Sequence, residues 1–466
     1  MAKRTEEEFH KLSITGNMFP LVCSTGFPLA IFALFSGLFT ILDTLMASHV
    51  SAIAVSAVAY IGQLQQILNA IGGGLVSGSM VLINRSYGAG EQELAAKRTN
   101  GLLAMLSLLS LLLLCAIPFS KPILRLLRTP EEFITTGSGY FSVTMVVVIL
   151  NFYTTLYLNI EKTRGNTMRI MLLNIGTMSI KLLCSFYFIY RRGSSIVMVA
   201  VSTAIAYGCL AIVGIAEMRK GESIFSFKRQ YFRLETSIVR PLILLSYPLA
   251  IEKASFAMGK TVVNSMVSSY GTTTVGALGI SNNLSGLVTN LQNGYGDSSG
   301  AIISQNQGAK RWDRVKHAYG DTLIMMVLTS MFGILTISLF SKDLIHIFAT
   351  SRSGNDQEFE KTIQTIFTYD LLSVLPLALN GANMALLLGL GETKLQLIIS
   401  ACRIFVFRIP VLAVIQGMTD WGAKGVGIMM LLSNGMTALL STAIVICLIR
   451  KRNKLSRQSS PDGRTC

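Results

Sequence analysis

The sequence predicts an all-α integral membrane protein of about twelve transmembrane helices, set as two pseudo-symmetric six-helix lobes (parallel repeats) around a central cavity. Three observations carry this expectation. The 466 residues are 51% hydrophobic and only 14% charged, against about 25% charged in an ordinary soluble domain. Apolar runs long enough for a bilayer, which needs about 20 residues per helix, recur along the chain, as at 102–119 and 428–449. Two segments also repeat at a constant offset of 220 residues: Pro28-Leu29-Ala30-Ile31 returns as Pro248-Leu249-Ala250-Ile251, and Gly88-Ala89 returns as Gly308-Ala309. The alternation in blocks of about ten that marks a transmembrane barrel is absent.

Taken in order, the spans fall at 16–42, 52–83, 99–118, 131–159, 168–190, 194–217, 237–268, 275–304, 316–340, 359–389, 395–416 and 423–449. An even number per half means that both halves enter the membrane in the same orientation, so their symmetry axis runs along the membrane normal. The chain then divides into an N-terminal segment (1–15), an N-lobe (16–217), an interlobe linker (218–236), a C-lobe (237–449) and a basic, disordered tail (450–466). Lys and Arg concentrate in both termini and in the loops after even-numbered spans. By the positive-inside rule both termini and the linker are cytoplasmic, in a plasma membrane. The net charge of +16 is therefore a topology signal rather than a nucleic-acid footprint. The first apolar stretch is longer than a signal peptide's core of about 7–15 residues, so it reads as an uncleaved span.

Little in the chain suggests chemistry. Six of the seven cysteines lie within spans, without a C-x-x-C pair, and read as small buried apolar residues. The four histidines lack metal-ligand spacing, and neither a Gly-rich phosphate loop nor a nucleophile elbow occurs. No enzyme, cofactor or resident metal is expected. Gly72, Gly73, Gly74 and Gly78 allow close helix contact in the second span. A weaker repeat joins Gly165-Asn166-Thr167 to Gly391-Glu392-Thr393, at an offset of 226.

Several motifs, in order, resemble the multidrug and toxic compound extrusion family. They are the first-span proline with Ile41-Leu42-Asp43, then Ser86-Tyr87-Gly88-Ala89-Gly90, Thr163-Arg164-Gly165-Asn166-Thr167, Pro248 with Glu252, and Ser304-Gln305-Asn306-Gln307-Gly308-Ala309. Leu388-Gly389-Leu390-Gly391-Glu392-Thr393-Lys394 and Arg403-Ile404-Phe405-Val406-Phe407-Arg408-Ile409-Pro410 complete the series. The resemblance implies two lobes around a cavity that opens alternately to each side. It also implies export of small organic, often cationic and lipophilic, compounds driven by inward flow of H+ or Na+, in a monomer touching membrane lipids.

Ionisable groups inside the membrane are costly and so mark function. Asp43 ends the first span, where it opposes the helix dipole and where the resemblance places an acidic coupling residue. In span five the chain has Lys181 and Ser185 where the family usually has an asparagine and an aspartate. Lys181 lies roughly 20 Å along its helix, so its ammonium is expected to take the place of a coupling cation. Glu252 lies roughly 22 Å into span seven and matches a membrane glutamate found in part of the family. Arg408 shares its depth, and Asp297 and Arg403 share another. These four residues are expected to form one C-lobe network, while Asp370 in span ten faces the outer cavity. A transient Na+ is placed near Asp43 or Glu252.

These readings favour a secondary antiporter. A flippase for lipid-linked or anionic substrates is the alternative, with Lys181 and Arg408 holding a phosphate. A membrane-embedded transferase would need clustered His, Asp or Ser, which the sequence lacks.

Overall fold

The computed structural model describes residues 6–47, 52–126, 129, 131–188, 196–221, 223–353 and 357–458, the side chains of 38, 40–60, 131–133, 136, 196, 272, 347–353 and 455–458 lying outside that description. A short α1 (Glu6–Thr15) precedes the first lobe, whose long helices are α2 (Met18–Ala47), α3 (Ala52–Gly88), α4 (Gln92–Ala116), α6 (Glu131–Thr163), α7 (Thr167–Phe186) and α8 (Ile196–Arg219). A short α5 (Ser120–Leu126) leads into α6. The second lobe comprises α9 (Thr236–Val267), α10 (Thr272–Gly308), α11 (Trp312–Ser353), α12 (Gln357–Leu372), α13 (Val374–Gly389), α14 (Thr393–Ala401), α15 (Ile409–Met418) and α16 (Gly422–Gln458). Large apolar side chains such as Leu112, Leu339 and Leu439 are exposed on the perimeter, as lipid contact requires. Cys115, Cys209 and Cys447 are exposed as well, contrary to the expectation that such cysteines are buried.

Among the described residues ten helices are long and apolar enough to cross a membrane, and the pair α12–α13, bent by 43°, makes an eleventh crossing. The remaining predicted span is α10, which fails on composition because it carries Ser281, Ser285, Gln292, Ser298, Ser299, Ser304, Gln305 and Asn306, all buried. Polar groups removed from water need hydrogen-bond partners, and α10 finds them by running through the middle of the bundle against α2, α3, α11, α12 and α13.

The lobes interlock by exchanging partners: α3 packs on α9, and α10 packs on α2. A Cβ on Gly74 would strike the backbone of Ala250, and one on Gly294 the backbone of Ala30. Both members of one contact are displaced by the repeat offset from the members of the other. At the end of the bundle that carries α1 and the linker, α3 and α10 cross. There a Cβ on Gly88 would fall inside the carbonyl of Gln305, and one on Gly308 inside the carbonyl of Arg85, again a repeat-related pair. Only glycine permits backbones to approach so closely.

Further bonds seal this linker end. The Arg85 guanidinium donates to the Leu390 carbonyl, and Gln305 Nε2 donates to the Thr163 carbonyl at 2.9 Å. Each reaches the opposite lobe beside its glycine turn, at Gly391 (φ +65) or Gly165 (φ +77). Helix α1 lies across both lobes. Its Glu6 meets Arg164 at 3.2 Å, and its Ser13 carbonyl accepts from Asn306 at 3.0 Å and Arg314 at 3.1 Å. The linker docks too, with Phe225 buried in the first-lobe core and Lys228 N donating to Asn100 Oδ1 at 2.9 Å. The tail expected to be disordered from residue 450 is helical through Gln458. Arg452 meets Glu392 at 3.2 Å and Trp312 donates to Asn453 at 2.7 Å, which anchors it.

Gly308→Ala overpacks the crossing against a main-chain carbonyl that cannot move aside, at a cost of about 1–3 kcal/mol. The expected result is a lower thermal midpoint in fluorescence-detected size exclusion. Gly320→Ala, whose Cβ meets open space, is expected to leave the midpoint unchanged, and equal midpoints would contradict the close crossing.

Candidate functional site

Between the lobes lies a cavity of about 1060 Å³. Its wall comes mainly from α9, α10, α12 to α14 and α16, with Gly37 and Gln66 contributed by the first lobe. Five of the eight residues singled out from the sequence line it: Glu252, Asp297, Asp370, Arg403 and Arg408.

Their pairing differs from the expected four-residue network, since no ion pair joins Glu252 to Arg408 or Asp297 to Arg403 among the described residues. Glu252 Oε1 instead accepts from Ser400 Oγ at 2.7 Å. Asp297 meets Lys162 of the first lobe at 3.7 Å, an ion pair across the lobe boundary. Asp370 lines the cavity with little exposed surface, and its Oδ2 accepts from Ser281 at 2.9 Å and Ser285 at 2.8 Å. Asn434 of α16 gathers the arginines. Its Oδ1 accepts from Arg403 Nε at 3.1 Å and Arg408 Nη2 at 2.9 Å, and its Nδ2 donates to Ser373 Oγ at 2.9 Å. The Ser373 hydroxyl in turn lies 3.4 Å from Asp370 Oδ1. A serine and an asparagine thus stand between the carboxylate and the two guanidiniums.

The reason lies in the backbone. Between α14 and α15 the chain widens into a π-helical segment, Cys402–Arg408. In a regular α-helix two residues five apart point in different directions. The wider π turn, with its i to i+5 bonding, brings Arg403 and Arg408 to the same amide. Pro410 follows directly and lacks the N–H that regular winding would use.

Sequence reasoning set aside Lys253 as a poor partner for its neighbour Glu252 and passed over Phe256, Lys260, Ser400 and Asn434, all in the cavity wall. One signal was present: Phe256 and Lys260 follow Glu252 at steps of four, which places them on one helix face. Asn434 carried no signal, being one amide in a long apolar run. Lys181 and Ser185 sit elsewhere, on α7, which packs against α2 and α8. Lys181 is half-buried, and Ser185 is buried with no hydrogen-bond partner for its hydroxyl among the described residues. The side chain of Asp43 lies outside the described residues. Among the described residues no group of three or more His, Cys, Asp or Glu is placed to hold a metal ion.

The sequence profile of the MatE family matches residues 28–187 and 248–414, one match in each lobe. The chain belongs to the MatE family. Members of the MatE family are transporters rather than enzymes and need no cofactor, and this chain is accordingly a multi-pass membrane transporter that acts on small molecules. It is 25% identical over 314 residues to the probable multidrug resistance protein YoeA of Bacillus subtilis (strain 168), a match spanning 64% of this chain and 66% of that protein. Among solved structures, MATE in complex with MaL6 superposes with a TM-score of 0.90 at 17% identity, covering 96% of this chain and 99% of that one. The outward-facing conformation of a multidrug resistance MATE family transporter of the MOP superfamily gives 0.89 at 16% identity, covering 97% and 100%. At these identities the superpositions speak to the fold alone.

Replacing Asn434 by leucine would strand the buried Ser373 and Arg408 and the half-buried Arg403, each hydrogen bond to a charged group being worth about 1.5–3 kcal/mol. Asn434→Leu is expected to lower the thermal midpoint markedly. Asn434→Asp, which keeps an acceptor between the guanidiniums, is expected to hold it near wild type, and the reverse order would break the proposed role of the amide.

Proposed function

We propose that the chain is a secondary active exporter, exchanging organic compounds for H+ or Na+ by alternating access. It works in the cell membrane as a monomer with both termini and the linker in the cytoplasm. The observation that carries this reading is a cavity holding an ionisable carboxylate, Glu252, between two repeat-related lobes that close on one side of it. With the linker end cytoplasmic, as the distribution of basic residues favours, this conformation faces outward.

Glu252 is the coupling group. Among the described residues its one hydrogen bond comes from a neutral hydroxyl, so it can accept a proton or lie beside a Na+ without first breaking an ion pair. Binding of the coupling ion and binding of substrate then favour opposite-facing states through differential affinity. In the first lobe, Lys181 supplies a built-in cation and Asp43 a second carboxylate. The methionines Met326, Met384 and Met430 in the cavity wall give an adaptable apolar surface. The expectation of lipophilic cations meets a wall bearing Lys253, Lys260, Arg403 and Arg408 against Glu252, Asp297 and Asp370. That balance favours amphiphiles that are not multiply cationic.

The test is uptake of a fluorescent organic cation and of pyrenebutyrate into proteoliposomes under imposed H+ or Na+ gradients. One gradient is expected to drive uptake. Glu252→Gln is expected to reduce it by about tenfold or more, and Lys181→Asn to alter its ion dependence. Gradient-driven uptake in Glu252→Gln equal to wild type would remove Glu252 from coupling.

A further inference from the structure

Two cations in the cavity converge on one aromatic ring, and among the described residues neither forms an ion pair. Lys260 Nζ lies 5.1 Å, and the Arg403 guanidinium 5.2 Å, from the centroid of Phe256. The Arg403 Nε is held by Asn434. Among the described residues its two terminal nitrogens make no hydrogen bond, and Lys260 makes neither a hydrogen bond nor an ion pair. Both residues line the cavity, and Lys260 is accessible from it.

Each nearby carboxylate is engaged elsewhere. Asp370 is occupied by the Ser281 and Ser285 hydroxyls, Glu252 by Ser400, and Asp297 by Lys162. Arg403 is half-buried, and a cation partly withdrawn from water without a paired anion is costly, a cost the ring face offsets only in part. The other cations do not complete a pair. Arg408 is held by Ser433 and Asn434. Lys253 extends toward the first lobe, its Nζ 3.4 Å from where a Cβ on Gly73 would stand.

We infer that Lys260, Arg403 and Phe256 form a binding subsite for the carboxylate or phosphate head of an amphiphilic organic anion. Arg403 is fixed through its Nε, which leaves its paired terminal donors to face one planar anionic group. Lys260 adds a point charge from the opposite helix. Ile280, Leu377, Met384 and Met430 in the same wall take the apolar body. The inference rests on reading the cavity as the transport path and names the substrate class that the cavity selects.

The test measures binding of pyrenebutyrate and of its cationic counterpart, pyrenebutyltrimethylammonium, to the full-length protein in detergent. The two probes share a body and differ in head charge. The expected result is saturable binding of the anion about tenfold or more tighter than the cation, a factor of the size that one charge-assisted contact supplies. Lys260→Gln and Arg403→Gln are each expected to weaken it by a similar factor, while Lys260→Arg retains it. Because Arg403 also bonds Asn434, Lys260→Gln is the decisive variant, read on protein that elutes as a monodisperse peak. Equal binding of the two probes, or anion binding unchanged in Lys260→Gln, would overturn the inference.

Competition identifies the source of the anion. Displacement by dioctanoyl phosphatidate but not by inorganic phosphate supports a lipid head, and displacement by both supports a soluble phosphate compound. Displacement by neither counts against the site. Gradient-driven uptake of the cation without anion binding overturns this inference and leaves the exporter reading standing. Saturable anion binding without gradient-driven uptake of either probe supports the subsite and overturns the exporter reading.

Discussion

The rest of the architecture depends on the crossing of α3 and α10, where Gly88 and Gly308 each press against the other helix's main chain. With side chains there, the two helices would stand further apart, and Arg85 and Gln305 would lose their reach to the turns of the opposite lobe. The docked α1 and linker would lose the floor on which they rest. The crossing closes one end of the bundle and leaves the cavity above it. Its contacts are a few hydrogen bonds and a glycine approach rather than a broad apolar surface. The proposed exporter needs this seal to open, which a close-packed core in its place would resist.

Symmetry in the scaffold coexists with asymmetry in the chemistry. The contacts of Gly74 with Ala250 and of Gly294 with Ala30 show that the two halves use one packing solution twice. The polar residues on these helices have not stayed equivalent. Arg85 in one half corresponds to Gln305 in the other, and Ser77 to Asp297. The polar wall is built almost wholly by the second lobe. Charge in the cavity is therefore set by α9, α10, α12 and the π-helical segment, with Lys162 of the first lobe pairing with Asp297.

The scaffold was legible in the sequence because its causes are local. Apolar length marks spans, glycine turns mark their ends, and the offset of 220 residues marks the duplication. The span hardest to justify by composition, α10, is polar because it is surrounded by protein rather than lipid, a tertiary fact that hydropathy does not carry. The cavity residues were legible as a set but not as partners. Depth counted along an ideal helix matched Glu252 with Arg408 and Asp297 with Arg403. The π turn at Cys402–Arg408 altered which way the arginines point, and Ser400 and Asn434 intervened as neutral partners. Lys260 was missed because nothing in the sequence marks its contact with the ring of Phe256, one turn earlier on the same helix.

The central claim is that the α3–α10 crossing is a seal that opens. It is tested most directly by the distance between spin labels at Glu91 and Lys310, exposed positions just beyond the crossing on opposite lobes, after the seven native cysteines are replaced. Pulsed dipolar spectroscopy across a range of pH and Na+ concentration is predicted to give two populations, one short and one long. The long one should grow in the condition that discharges the coupling ion and collapse in Glu252→Gln. A single short distance, unchanged under every condition in protein that transports, would contradict the account.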